Sequence, residues 1–224
     1  MATVRSSLIA ILSSRIGPIY AWGLAAIGPR LRNAYVGDMD LPAFYPGHLL
    51  LAMPGIGDAN FDRAVIALCA HDEDGALGID IGMSVDDLGI HELLRSFDID
   101  PGGIPDTPIL RGGPVEPQRG FVLHSLDWQG DGVLAAGASW GLSGSLGILQ
   151  AIARGEGPSQ YLVALGYAGW GGGQLETEMT RHGWFLGGDS LDEMFDLPIS
   201  RRWEAAFAAS GIDASHLVAQ AGSA

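Results

Sequence analysis

Two glycine-punctuated stretches carry the residues of this 224-residue chain whose types and spacing could do chemistry. The first runs Arg111-Gly112-Gly113-Pro114-Val115-Glu116-Pro117-Gln118-Arg119-Gly120-Phe121-Val122-Leu123-His124-Ser125. Glu116 and Arg119 stand three apart with opposite charge. Either they pair with one another and pin the loop, or Arg119 or Arg111 receives an anionic ligand through its guanidinium fork. The sequence leaves both open. His124 reads as a satisfied core histidine ahead of a general base. Its adjacency to Ser125 makes no catalytic dyad, because neighbouring side chains on a strand point to opposite faces.

The second stretch runs from Gly166 to Gly173 and on through Gln174-Leu175-Glu176-Thr177-Glu178-Met179. Its order of strand, glycine loop and helix is the one that binds anions at a helix N-terminus. It lacks the lysine and hydroxyl of a phosphate loop and the spacing of the dinucleotide fingerprint. Glu176 and Glu178 would also repel a phosphate, so the glycines read as a structural turn. Trp170 offers a stacking surface or, as large aromatics more often do, a core or interface anchor. His71 is followed by Asp72, Glu73 and Asp74, but four adjacent residues in a turn cannot all converge on one ion, so a solvated acidic turn is expected. Cys69 lies inside an apolar run, where an inert buried thiol is expected.

The elements that must position these groups follow from periodicity. His48 to Met53, Arg63 to Ala70 and Ala76 to Ile81 are three short apolar runs separated by Pro54-Gly55 and by Asp74-Gly75, which predicts a three-stranded meander. Ser84 to Phe97 reads as one helix, with Ile90, Leu93, Leu94 and Phe97 on one face and Ser84, Asp86 and Asp87 at its N-terminus. Phe121 to Leu126 and Val133 to Ala138 read as strands. A helix from Ser143 or Ser145 presents Leu146, Leu149 and Ile152 and stops at Gly155. Tyr161 to Leu165 is another strand. The tail carries a capping-box pattern at Ser190 and Glu193 and an amphipathic helix through Trp203, Ala206 and Phe207.

Composition bounds the function classes. With 47% apolar and 17% charged residues the chain can build a sizeable core, and no linker or repeat interrupts residues 39–224, which are expected to form one domain. Twelve arginines, with no lysine, face 26 acids for a net charge of −14. Such a field opposes phosphate backbones and anionic membranes, so direct nucleic-acid binding is not expected. One cysteine allows no internal disulfide and fits a reducing, cytoplasmic location. Residues 1–38 hold four arginines before the first acid, Asp38. They read as a poorly ordered extension, or as leader codons ahead of a true start at Met39. Their longest uncharged run, Ile16 to Pro29, is too short to span a membrane.

In combination these residues resemble the YqgE/AlgH family of bacterial proteins. The resemblance rests on Gly47-His48-Leu49-Leu50-Leu51-Ala52-Met53-Pro54, on Asp58 with Phe61 and Arg63, on Leu68-Cys69-Ala70-His71, on the Gly112 to Ser125 stretch, and on Leu165 to Trp170 with Gly173-Gln174-Leu175-Glu176. It covers about Leu41 to Ala224. It implies a single α/β (α+β) domain whose mixed sheet is curled into a partly open, barrel-like form flanked by helices. It implies little about activity; one branch carries the label of transcriptional regulator. Two stretches depart from the family pattern: Asp80-Ile81-Gly82-Met83 after the third strand, where an Asn-Lys/Arg-Pro-like segment is usual, and Ala138 to Ser143 before the second helix.

With no cofactor motif and no recognised nucleophile or metal set, the sequence points to a non-enzymatic binding or regulatory protein. Glu116, Arg119, His124, Trp170, Gln174 and Glu176 are expected to border one surface, for a protein partner or a small anionic ligand. The alternatives are a hydrolase or nucleotide-binding enzyme that uses His124 or His71 with a carboxylate, and a transcriptional regulator that acts indirectly.

Overall fold

The computed structural model describes residues 44–181 and 183–221, so the expectations for residues 1–38 lie outside the described residues. The apolar runs form β1 (Leu49–Ala52), β2 (Val65–Asp72) and β3 (Gly75–Asp80), an antiparallel meander closed at its second turn by Asp74-Gly75. Asp72 caps that turn, its Oδ1 accepting the N–H of Asp74 at 2.9 Å and of Gly75 at 3.2 Å. β4 (Ser84–Gly89), β5 (Pro108–Arg111), β6 (Val115–His124), β7 (Leu134–Ala136), β8 (Trp140–Ser143), β9 (Tyr161–Gly171) and β10 (Trp184–Leu186) complete a ten-stranded sheet. Its main path is β10-β1-β2-β3-β9-β6-β8-β7. All pairings are antiparallel except β5 with β9, which makes the sheet mixed. The sheet curls until the end of β7 meets the chain entering β1: a Cβ on Gly47 would stand 2.8 Å from the Ala136 carbonyl oxygen. The curl stops short of a closed barrel.

The period-two alternation of the strands sorts the core into packed clusters. In β2, Val65, Ala67 and Cys69 face one cluster and Ile66 and Leu68 another. In β6, Phe121 and Leu123 join the first while Val122 faces the helix-covered side. That side is covered by α1 (Ile90–Ser96) through Ile90, Leu93 and Leu94, and by α2 (Leu146–Ala153) through Ile148, Leu149 and Ile152. α3 (Gln174–Thr180) follows β9, and α4 (Asp192–Asp196), α5 (Ile199–Ala209) and α6 (Ala214–Ala221) close the described chain. α5 sets Trp203 and Phe207 against the first cluster, and the Trp203 indole donates to the Ala52 carbonyl at 2.9 Å. Each such fully buried large side chain contributes roughly 1.5–3 kcal/mol.

Three segments differ from their sequence expectation. Ser84–Gly89 is a strand, and the helix begins only at Ile90. β5 claims the preceding backbone, pairing Leu110 with Ser84 and Pro108 with Gly89. Asp87, at φ +52°, breaks any helical run. The N-terminus of α1 is served from a distance, by Asp106 Oδ1 accepting the His91 N–H at 3.0 Å. Most of the supposed glycine loop is strand as well: β9 runs to Gly171, pairing with β6 over Tyr161–Tyr167 and with β3 over Ala168–Gly171. Gly166, at φ +75°, lies at the register shift of the β6 pairing, just before β9 passes to β3. The strand that leaves the Arg111–Pro114 corner begins at Val115, not Phe121. At the tail, Ser190 Oγ accepts the Asp192 N–H at 3.3 Å.

One carboxyl in the core makes stability depend on pH. Asp80 is 2% exposed, and its Oδ1 accepts the N–H of Gly82 at 2.8 Å and of Val65 at 3.3 Å. Burial pushes it up to about 7, against those two bonds and the attraction of Arg111 and Arg202. The fold therefore prefers the protonated acid. Its contribution is full below the ordinary carboxylate value and is lost as pH rises toward about 7. Asp80→Asn keeps an acceptor for both N–H groups and does not ionise. The variant is expected to gain on the wild type in melting temperature from about pH 4 to about pH 7 and to run parallel above. Parallel curves throughout would show that Asp80 is not the titrating group.

Candidate functional site

The corner between β5 and β6 is built on backbone proximity. Gly112 donates its N–H to the Leu165 carbonyl and accepts from the Asp80 N–H, both at 2.8 Å. After it β6 bulges: Val115 pairs with Tyr167, but the next pair is Gly120 with Leu165, so extra residues of β6 loop out around Glu116 at φ +45°. The bulge turns Arg119 inward. Its side chain is 4% exposed, its Nη1 donates to Glu116 Oε2 at 3.1 Å, and its guanidinium lies 5.2 Å from the Phe121 ring centroid. Glu116 is half exposed, at 49%. Burial, with a smaller push from Glu116, raises the Tyr167 hydroxyl. Arg119 is thus turned into the fold and held by Glu116.

The far end of β9 and α3 make a second constellation. His71, 3% exposed on β2, accepts the Tyr45 N–H through Nδ1 at 3.2 Å. Its Nε2 must then carry the proton, which it donates to Glu176 Oε1 at 2.8 Å. Phe44 stands edge-on to the same ring at 5.1 Å. Two residues further along α3, Glu178 Oε2 accepts both buried indole N–H groups, Trp170 at 3.0 Å and Trp184 at 2.9 Å. Glu178 Oε1 accepts from Gln174 Nε2 at 2.8 Å, and Gln174 Oε1 accepts the Gly171 N–H at 3.1 Å. Buried donors therefore hold two acids of α3 in fixed positions on an outward helix. The first turn of this short helix carries Glu176, which does not suit an anion.

His124 joins neither group. It pairs with Tyr161 at the opposite end of β9 from Trp170, a separation on the order of 30 Å at strand rise. It is 0% exposed, and so cannot border a surface. Its Nδ1 donates to the Ser125 carbonyl at 2.8 Å, which leaves Nε2 as an acceptor for the Ser143 hydroxyl at 2.9 Å. Burial holds the imidazole below its usual range. Of the six residues expected on one surface, Trp170, Gln174 and Glu176 come together; Glu116 and Arg119 form a separate corner with Arg119 turned inward, and His124 is core. Trp170, 7% exposed, anchors the interior and is no open stacking surface.

Sequence reasoning took Glu178 only as a charge that repels phosphate, its two indole partners being invisible without the fold, and passed over two serines. Gly137-Ala138-Ser139-Trp140-Gly141 has the spacing of a nucleophile elbow. Ser139, however, lies in the turn between β7 and β8, whereas the elbow needs a strand leading into a helix. Ser143 has that setting, at the end of β8 with α2 beginning at Leu146. Burial pushes the Cys69 thiol up to about 12, leaving it inert. Among the described residues no three His, Cys, Asp or Glu side chains are grouped to hold a metal ion, and no helix is long and apolar enough to cross a membrane.

The fold defines the class: a single α+β domain with a curled, open ten-stranded sheet, helices over its faces and a glycine-built corner between β5, β6 and β9. The sequence profile of the AlgH-like family matches residues 49–215, and the chain belongs to that family. A UPF0301 protein of Novosphingobium aromaticivorans is 57% identical over 178 residues, 80% of this chain and 96% of the relative. One from Rhizorhabdus wittichii is 54% identical over 186 residues, 83% of this chain and 100% of the relative. Among solved structures, the solution structure of the AlgH protein from Pseudomonas aeruginosa matches with a TM-score of 0.64 at 38% identity, covering 84% of this chain and all of that one. A Corynebacterium diphtheriae protein, at 20% identity and a TM-score of 0.55 over 80% of this chain and 86% of its own, shares the fold alone.

Proposed function

We propose that the protein works as a binding module, and that the face made by α3 and the β2–β3 turn receives a partner protein. The observation that carries this reading is the fixing of Glu176 by His71 and of Glu178 by Trp170 and Trp184. Acceptors locked by buried donors lose little side-chain entropy on binding, which is what a preorganised interface requires. His71 supports a holding role, since a backbone N–H occupies one ring nitrogen and Glu176 the other. A protein fits better than a small anion: Arg119 is turned inward against Glu116, and acids crowd α3. The net charge of −14 opposes contact with nucleic acid, so any regulatory role is indirect, and a cytoplasmic location suits the single buried thiol.

The test uses exposed positions that leave the core alone. A photo-crosslinking residue at Thr177 of the full chain is expected to trap one discrete partner in cells. Glu73→Arg, on the turn whose carbonyl lies against Gly172, is expected to abolish that adduct while changing stability by no more than about 0.5 kcal/mol. The reading fails if a crosslinker at Gln129, at the other end of the sheet, traps the same species, or if Glu73→Arg leaves the adduct intact.

A further inference from the structure

Ser143 and His124 meet the geometric definition of an activated nucleophile: a hydroxyl and a base within hydrogen-bond reach, with the base oriented by a third group. The Ser143 Oγ to His124 Nε2 distance is 2.9 Å. The Ser125 carbonyl, which can only accept, fixes the proton on Nδ1 and so leaves the Nε2 lone pair facing the hydroxyl. The backbone setting is that of a strand-to-helix nucleophile: Gly141-Leu142-Ser143 ends β8, Gly144 and Ser145 turn, and the eight residues of α2 follow. Ser145, the N-cap of α2, makes no side-chain bond to the first helical N–H groups. The first N–H groups of a helix have no partner within it, and beside a strand-end serine they are the kind of donor that a developing oxyanion needs.

In this state both side chains are 0% exposed. The Trp128 ring stands edge-on to the imidazole at 5.6 Å. It is only half-buried and rides on the connection between β6 and β7, whose Asp127, Gln129, Gly130, Asp131 and Gly132 are exposed. Asp127 ties that connection down, accepting from Ser125 Oγ at 2.6 Å and from the Ser159 N–H at 3.1 Å. We propose that Ser143 and His124 form an acyl-transfer site for small uncharged carboxylic esters, covered by Trp128 and opened when that connection swings out. The class of substrate follows from the charge of −14, which repels phosphates and carboxylates, and from the apolar residues, Trp128 and Val122, on this side of the sheet.

The step balances with water as co-reactant. Ser143 Oγ attacks the ester carbonyl carbon and its proton passes to His124 Nε2. The bond to the alcohol oxygen breaks, and that oxygen leaves with the proton from Nε2. Water then attacks the acyl-serine and gives a proton to Nε2. The carboxylic acid departs as Ser143 recovers its proton. This site is independent of the binding face, since it lies at the other end of β9.

The experiment treats the full chain with a fluorophosphonate probe and maps the adduct by mass spectrometry, alongside hydrolysis of p-nitrophenyl acetate. The expected result is a single adduct on Ser143, labelled at least about tenfold faster in Trp128→Ala, with hydrolysis falling to the buffer rate in Ser143→Ala and His124→Gln. Adduct mapping on wild type and Trp128→Ala gives an answer even if the Ser143 and His124 variants do not fold. No adduct on Ser143 in either folded protein, an adduct elsewhere, or hydrolysis unchanged in a folded Ser143→Ala would each overturn the proposal and leave the pair a structural hydrogen bond.

Discussion

Gly113→Ala is expected to yield no folded protein. Gly113 has φ +151°, and a Cβ built there would stand 2.1 Å from the Tyr167 carbonyl carbon and 2.3 Å from both the Tyr167 oxygen and the Ala168 nitrogen. These are backbone atoms of β9, and no rotamer change relieves the overlap. Moving β9 aside would also disturb Gly166, whose own missing Cβ leaves 2.5 Å to the Gly113 oxygen. Ordinary overpacking by a methylene destabilises by about 1–3 kcal/mol. A backbone clash between the β5–β6 connection and β9 exceeds that and consumes most of the roughly 5–15 kcal/mol that holds a domain folded. The comparison is Gly103→Ala, where nothing lies within 4 Å of the added Cβ. Its urea midpoint is expected to match the wild type. A soluble Gly113→Ala protein with a wild-type midpoint would mean that the β5–β6 connection and β9 are not packed as described.

Glu178→Ala has the next largest expected effect. It strips the acceptor from two indole N–H groups at once, in Trp170 and Trp184, which are 7% and 4% exposed. Each buried donor left unpaired costs about 1–3 kcal/mol, so a loss of about 2–6 kcal/mol is expected by chemical denaturation. Tryptophan emission reports the same event. Glu178→Gln separates charge from geometry. Its amide keeps one oxygen for the indoles but turns an NH₂ toward Gln174 Nε2, donor against donor, and an intermediate loss is expected. A Glu178→Ala protein as stable as the wild type would show that water replaces the carboxylate and that the α3 acids are not held from within.

Much of the fold was readable without coordinates. Where apolar residues recur with the period of one element between turn residues, local sterics and burial agree. The meander of β1 to β3, the α2 helix and the α5 stripe of Trp203, Ala206 and Phe207 all appear where their spacing places them. The helix expected over Ser84 to Phe97 began too early because acids before an apolar stripe suit a helix start. Pairing with β5 decided those residues instead, and the cap came from Asp106, fifteen residues away. The glycines of β9 looked like a loop because glycine is common in loops. Gly166 sits within a strand because backbone atoms of β6 stand too close to admit a side chain.

The candidate site was legible by residue type and not by arrangement. Glu116 with Arg119 was visible because three residues separate them. Glu176 with His71 was not, because 105 residues do. Sequence alone determined the charge of the surface field, the inert setting of Cys69, the three-strand start and the two glycine-bearing stretches that mark the family. The tertiary structure decided that Arg119 turns inward, that Glu178 serves two indoles and that His124 meets Ser143 and not Ser125. The reason is range: periodicity and turn chemistry act between neighbours in the chain, whereas a hydrogen bond across a curled sheet depends on register between strands that no local pattern records.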